Sequence, residues 1–133
     1  MNISSMKVLM FHADKEEREK LAIMLTRFDH CVAFSDGTDL KDINFEDYDL
    51  FIVDEYLLDG SGLVLLQHLP EKVRTKTIFL ASGKEKVTEL CQESSGIYDC
   101  MKKPVKPMEL AVVACDFFVT EYLNEKTLSP LSC

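Results

Sequence analysis

The sequence predicts a three-layer α/β domain in which helices cover both faces of a parallel β-sheet. Five short apolar runs alternate with five helix-forming stretches along the 133 residues, and this alternation is typical of right-handed β-α-β units. Hydrophobic residues make up 47% of the chain, which supplies the core of one domain of this length. We expect the domain to span residues 1–124, followed by a flexible tail at residues 125–133 that contains one proline and two serines.

The five apolar runs are the predicted strands. They lack the regular polar alternation of a half-exposed strand, so we expect a sheet that is buried on both faces. The third run ends in Asp54 and is the most β-branched and aromatic of the first three. The predicted strands are residues 7–12, 30–35, 48–54, 77–81 and 97–101.

Capping and turn residues mark the predicted helices. Asp14 with Glu17, and Ser82 with Glu85, have the spacing of a capping box, in which two side chains bond to backbone N–H groups of the first helical turn. Pro107 suits the first turn of the last helix. We expect one helix after Asp14, a short one at residues 38–43, and others at residues 63–69, from Ser82 to about residue 93, and from residue 108 to about residue 124.

The charge balance excludes a generic nucleic-acid-binding protein. Asp and Glu outnumber Lys and Arg by 23 to 15, for a formal net charge of −8, whereas binding to a phosphate backbone needs a cationic surface. No stretch approaches the ~18 consecutive apolar residues of a membrane span, and residues 1–6 lack the basic start and apolar run of a secretion signal. We therefore expect a cytoplasmic protein that binds neither nucleic acid nor membranes.

Reactive side chains lie at the ends of three predicted strands. Ligands bind beyond the carboxyl ends of the strands in such sheets, and Asp54, Ser82 and Lys103 lie there. A carboxylate can attack phosphorus to form an acyl phosphate, while an ammonium and a hydroxyl stabilise the phosphoryl oxygens, normally with Mg²⁺. Each residue also has a simpler interpretation: Asp54 bonds the next turn, Lys103 lies in solvent beside Lys102, and Ser82 caps a helix.

Five motifs occur in order along residues 7–123. They are Asp36-Gly37 after the second predicted strand, Asp54 at the end of residues 48–54, Gly62 eight residues later, Ser82 at the end of residues 77–82, and Lys103-Pro104 at the end of residues 96–104. Each motif alone is weak. In this order and at these intervals, they resemble the receiver domain of two-component response regulators.

The resemblance implies the flavodoxin-like receiver fold, a doubly wound five-stranded parallel sheet with strand order 2-1-3-4-5. It implies that Asp54 is the phosphoacceptor and that Ser82, Gly83 and Lys103 contact the phosphoryl group. It also implies a cis peptide bond before Pro104, a turn at the site. The aromatic residue of strand five, which moves on phosphorylation in the family, falls at Cys100 here, and a thiol is too small for that role.

The resemblance also implies a Mg²⁺ site, but this chain departs from the family at its acidic ligands. The two acidic residues at the end of strand one fall at His12 and Ala13; alanine has no ligand atom, and imidazole is a poor ligand for Mg²⁺. The remaining candidates are Asp54, the backbone carbonyl of Tyr56, and Asp14, which also suits the cap of the first helix. We expect Mg²⁺ to bind weakly or not at all. For His12, a neutral hydrogen-bonded imidazole and, with Asp14 and Asp54, a Zn²⁺ or Mn²⁺ site are both open.

The last predicted helix is apolar nearly all round. Residues 110–119 contain one charged residue, Asp116, whereas a helix packed on one side of a sheet should have a polar outer face. We expect part of this helix to bind a downstream protein partner or a second copy of the chain; the alternative is a deeper core. The candidate surface residues are Val112, Cys115, Phe118, Val119 and Tyr122.

The sequence therefore predicts a stand-alone, atypical receiver domain rather than an enzyme. It would act in phosphorelay-type signal transduction through protein contacts, with Asp54 phosphorylated by a sensor histidine kinase or a phosphotransfer protein. One alternative is an interaction module that works without phosphorylation. A remote alternative is a flavodoxin-like nucleotide- or flavin-binding enzyme, which is disfavoured because residues 13–16 contain no glycine and carry acidic side chains that repel phosphate.

Overall fold

A five-stranded parallel sheet forms the centre of the molecule. The computed structural model describes residues 5–58, 60–83 and 96–128, with side chains given as far as residue 121. The strand order is β2-β1-β3-β4-β5, so the predicted class and strand order are confirmed. The strands are β1 (Lys7–Phe11), β2 (Cys31–Ser35), β3 (Leu50–Asp54), β4 (Thr77–Ala81) and β5 (Asp99–Lys102).

Helices lie on both faces of the sheet. The α-helices are α1 (Lys15–Arg27), α2 (Gly62–His68), α3 (Glu71–Arg74) and α4 (Pro107–Leu128). Two short 3-10 turns follow β2, at Leu40–Asp42 and Phe45–Asp47, and a small antiparallel hairpin joins Tyr56–Leu57 to Gly60–Ser61. Among these described helices, none combines the length and apolar character needed to cross a membrane.

Several predicted boundaries differ from the structure. In place of the helix predicted at residues 38–43, the structure has the 3-10 turn at Leu40–Asp42, because the Asp36 side chain accepts a hydrogen bond from the Thr38 backbone N–H and so competes with helix formation. β5 begins at Asp99 rather than residue 97, and α3 was not predicted. The helix predicted from Ser82 to about residue 93 lies, beyond Gly83, outside the described residues. Residues 125–128 belong to α4 and residues 129–133 are outside the described part, so the flexible tail stays a prediction.

The sheet divides the hydrophobic core into two halves. β3 and β4 are buried along all five residues, which explains their uninterrupted apolar sequences. Side chains alternate between the two faces along each strand, so α1 and α4 pack on one set while α2 and α3 pack on the other. Because both faces are covered, the carboxyl ends of β1, β3, β4 and β5 are held on a rigid frame.

The apolar residues of α4 are divided between the core and the surface. Leu110, Ala111, Ala114 and Phe117 are buried against the sheet. Of the predicted surface residues, Phe118 is half-buried and packs on the same core, as the deeper-core alternative expects, and the Tyr122 side chain lies outside the described part of the chain. The remaining three form an exposed apolar strip: Val112 (59% exposed), Val119 (44% exposed) and Cys115.

Candidate phosphoacceptor site

Asp54 and Lys103 form an ion pair at the carboxyl edge of the sheet. Asp54 is the last residue of β3 and is buried, and Lys103 directly follows β5. Lys103 Nζ lies 2.9 Å from Asp54 Oδ1, and the Tyr56 backbone N–H donates to Asp54 Oδ2 at 3.0 Å. Burial alone lowers the pKa of Lys103, but the contact with Asp54, its charge and that of Glu17 together raise the pKa above its usual value. Lys103 is therefore an ammonium ion fixed beside Asp54.

Close backbone packing surrounds this pair. The Gly62 N–H donates to the Glu55 carbonyl at 2.8 Å, and a Cβ atom placed on Gly62 would lie only 2.0 Å from the Asp54 carbonyl oxygen. Only glycine permits that approach, which explains the glycine eight residues beyond Asp54. The Lys103-Pro104 peptide bond is cis, as the resemblance implied.

His12 directs a nitrogen at the ion pair from the end of β1. Its side chain is fully buried, and its Nδ1 accepts a hydrogen bond from the Asp14 backbone N–H at 3.1 Å. Since Nδ1 is the acceptor, the proton of the neutral imidazole lies on Nε2. His12 Nε2 is 3.6 Å from Asp54 Oδ1 and 3.7 Å from Glu17 Oε1. The ring therefore presents an N–H group to two carboxylates.

Glu17 belongs to the site, which the sequence did not predict. In a capping box it would accept the Asp14 N–H, but His12 takes that donor. The Glu17 carboxylate instead lies 3.7 Å from Lys103 Nζ. Asp14 does cap α1: its side chain accepts the Glu17 N–H at 3.1 Å, and this bond is the main reason that the pKa of Asp14 is lowered. The Asp14 half of the predicted capping box is thus present, while the Glu17 carboxylate faces the site instead of the Asp14 N–H.

The donor set at this edge differs from the all-oxygen set that Mg²⁺ prefers. Within the described residues, His12, Glu17 and Asp54 offer ligand atoms that all lie within 4.8 Å of one another, and Asp14 is not among them. Mg²⁺ prefers oxygen ligands, mostly carboxylates and water, whereas Ala13 has none and His12 directs a proton, not a lone pair, into the group. A Zn²⁺ or Mn²⁺ ion at Nε2 would need that proton moved to Nδ1, where the Asp14 N–H already donates.

Glu55, which also was not predicted, holds Ser82 at the end of β4. The Ser82 backbone N–H donates to Glu55 Oε1 at 2.8 Å and the Ser82 hydroxyl donates to Glu55 Oε2 at 3.0 Å. The Tyr56 hydroxyl lies 3.2 Å from Ser82 Oγ, and Lys103 Nζ lies 5.5 Å from the centre of the Tyr56 ring. Ser82 is therefore part of the same polar group as Asp54, but its donors face a carboxylate of the protein.

Two other predicted site residues, Cys100 and Gly83, lie outside this polar group. Cys100 is buried in the core half that α2 and α3 cover, where it is paired in register with Phe79 of β4. Gly83 follows Ser82, and a Cβ atom placed on it would meet nothing within 4 Å among the described residues. Cys100 thus fills core volume beneath the site.

Solved structures share this fold, and two of the following three are receiver domains. NtrX from Brucella abortus is similar with a TM-score of 0.76 and 21% identity, over 92% of this chain and 29% of that one. The receiver domain of Francisella response regulator 1452 has a TM-score of 0.74 and 23% identity, over 87% and 98%. The signal receiver domain of a putative Luxo repressor protein from Vibrio parahaemolyticus has a TM-score of 0.77 and 18% identity, over 94% and 98%. No protein-family model and no curated protein matches the sequence. The likeness establishes the receiver fold.

Proposed function

We propose that this chain is a receiver-type signalling domain in which Asp54 accepts a phosphoryl group. The observation that carries this proposal is the buried Asp54 carboxylate with the Lys103 ammonium 2.9 Å away. An Asp54 oxygen attacks phosphorus and forms the new O–P bond as the bond from phosphorus to the leaving group breaks, which gives an acyl phosphate. Lys103 remains beside the oxygens that gain negative charge during this transfer. The fold shared with solved receiver domains supports the same role.

The phosphoryl donor in this proposal is a phosphohistidine of a sensor histidine kinase or a phosphotransfer protein. The phosphoryl group leaves the donor imidazole nitrogen and passes to Asp54, so no external oxidant or reductant is needed. The chain then acts through protein contacts rather than by turnover of a substrate.

We further propose that the transfer proceeds without a resident Mg²⁺ ion. His12 and Ala13 stand where two acidic ligands are expected, and the carboxylate of Asp14, another predicted ligand, caps α1. The Nε2–H of His12, the ammonium of Lys103 and the backbone N–H of Tyr56 can each stabilise negative charge on Asp54. The site therefore combines a fixed cation with fixed N–H donors.

An interaction module that works without phosphorylation is the second candidate. Two observations favour it: the acidic pair is replaced at His12 and Ala13, and the Ser82 donors are already bonded to Glu55. In that case the Asp54–Lys103 ion pair stabilises one conformation of the sheet edge permanently. Phosphorylation of the purified protein separates the two candidates.

Acetyl phosphate tests the phosphoacceptor directly. We expect intact-mass spectrometry to find one added phosphoryl group on the wild-type protein and none on Asp54→Asn, because the amide lacks the nucleophilic oxygen. Labelling should persist when EDTA replaces Mg²⁺. Asp42→Asn, at an exposed carboxylate of the first 3-10 turn, is the matched control and should be labelled like the wild type. Unlabelled wild-type protein with and without Mg²⁺ would support the phosphorylation-independent module, and labelling that requires Mg²⁺ would contradict the metal-free mechanism.

The exposed strip of Val112, Cys115 and Val119 on α4 is the proposed contact surface, and a second copy of the chain is the occupant to test first. Val112→Glu places a charge on this strip and should convert a wild-type dimer to a monomer, as measured by light scattering. Val64→Glu is the matched control, because Val64 is 52% exposed on α2 at the opposite face of the sheet. A monomeric wild-type protein would contradict the homodimer, which leaves a different downstream protein as the partner.

A further inference from the structure

The Glu55 carboxylate accepts hydrogen bonds from both donors that Ser82 could offer to a ligand, its backbone N–H and its hydroxyl. The two hydrogen bonds, at 2.8 Å from the backbone N–H and 3.0 Å from the hydroxyl, go to different oxygens of the same carboxylate. The Glu55 backbone is itself fixed, since its N–H donates to the Leu80 carbonyl at 3.0 Å and its carbonyl accepts the Gly62 N–H at 2.8 Å. The Glu55 backbone is thus held in place, so a rotation of the Glu55 side chain is the movement on its part that releases Ser82.

The burial of Glu55 makes this contact persistent. The residue is only 8% exposed, and a buried carboxylate needs hydrogen-bond donors to offset the loss of water. Hydrogen bonds to a charged acceptor are also stronger than those between neutral groups. A phosphoryl group on Asp54 would bring its own charged oxygens to the same donors, so the carboxylate and the phosphoryl group are competing acceptors for Ser82.

We infer that Glu55 is an internal competitor that keeps Ser82 from an Asp54-linked phosphoryl group. This inference rests on the proposed function of Asp54 and adds a regulatory contact to it. Before Ser82 can donate to a phosphoryl oxygen, the Glu55 side chain rotates away and gives up its two hydrogen bonds with Ser82. The wild-type protein is consequently phosphorylated more slowly than the same site without this carboxylate.

The rate of labelling by acetyl phosphate tests the competition. In the transfer, an Asp54 oxygen bonds to phosphorus as acetate leaves with the electron pair of the broken P–O bond. Glu55→Gln keeps the side-chain volume but removes the charged acceptor, and we expect labelling about tenfold faster than in the wild type, from the strength of a hydrogen bond to a charged group. Glu55→Ala, which frees Ser82 completely, should be faster still if it folds, as checked by circular dichroism.

Two variants distinguish release of Ser82 from a simple loss of charge. Glu17→Gln removes one negative charge from the same site but leaves Glu55 on Ser82, so its gain should be clearly smaller. Ser82→Ala combined with Glu55→Gln should lose the gain, because the released hydroxyl is missing. The competition would be wrong if Glu17→Gln and Glu55→Gln increased the labelling rate equally, or if Glu55→Gln did not increase it. Labelling of the wild type would still support the proposed function in that case. If no variant is labelled, the proposed function fails and the inference fails with it.

Discussion

Gly62→Ala is expected to destabilise the folded protein by about 3 kcal/mol or more, the upper end of the range for overpacking a tight site. The added Cβ would lie 2.0 Å from the Asp54 carbonyl oxygen and 3.1 Å from Val53 Cγ1. Neither neighbour can retreat easily, because β3 is hydrogen-bonded between β1 and β4. α2 would have to move away from the sheet instead. Urea unfolding followed by circular dichroism measures the change in the free energy of unfolding.

Gly60→Ala is the matched control for this substitution. Gly60 lies two residues earlier, and a Cβ atom placed there would meet no described residue within 4 Å. We expect the free energy of unfolding to change by no more than about 0.5 kcal/mol, as for other unconstrained surface positions. Similar losses in the two variants would show that the close approach of Gly62 to Asp54 is wrong.

Phe117→Ala is expected to lower the free energy of unfolding by about 3–5 kcal/mol, the usual effect of truncating a buried phenylalanine to alanine. The ring is 2% exposed in the core between α4 and the sheet. It also packs edge-to-face on Tyr98, with ring centres 4.9 Å apart and planes at 85°. The substitution therefore leaves a cavity and removes an aromatic contact, both of which weaken the attachment of α4. The shift of the urea midpoint at constant slope measures the effect.

Val119→Ala on the same helix provides the comparison. Val119 is 44% exposed, so its truncation should change the free energy of unfolding by about 0.5 kcal/mol or less. If Val119→Ala lowered the free energy of unfolding as much as Phe117→Ala, α4 would pack through a different face. The exposed strip proposed as a contact surface would then be part of the core.

Hydrophobic patterning was sufficient to predict the sheet. β3 and β4 are buried on both faces, and such strands are recognisable as continuous apolar runs. The stretch after β2 was less predictable, because Asp36 and Asn44 bond their own neighbouring N–H groups and so favour short turns over a helix. Local side-chain bonds of this kind compete with helix formation without altering the hydrophobic pattern.

The candidate site was predicted only in part. Asp54, Ser82 and Lys103 follow from their positions at strand ends, and the structure places all three at one edge of the sheet. Glu17 was missed because a capping box already accounted for it, and only the bond from Asp14 to His12 shows that its carboxylate is free to turn inward. Glu55 was missed because no spacing rule connects it with Ser82, 27 residues later. Contacts between distant residues depend on the register of the strands, which cannot be deduced from the sequence alone.

The exposed thiol of Cys115 has a practical consequence for any study of self-association. It lies on the α4 strip between Val112 and Val119, so a two-fold axis through that strip would bring the sulfur atoms of two copies toward each other. Oxidation in air can then convert a reversible dimer into a covalent one. The mass measured for a stored sample would then include the disulfide-linked dimer. Only a freshly reduced sample would report the affinity of the two surfaces for each other.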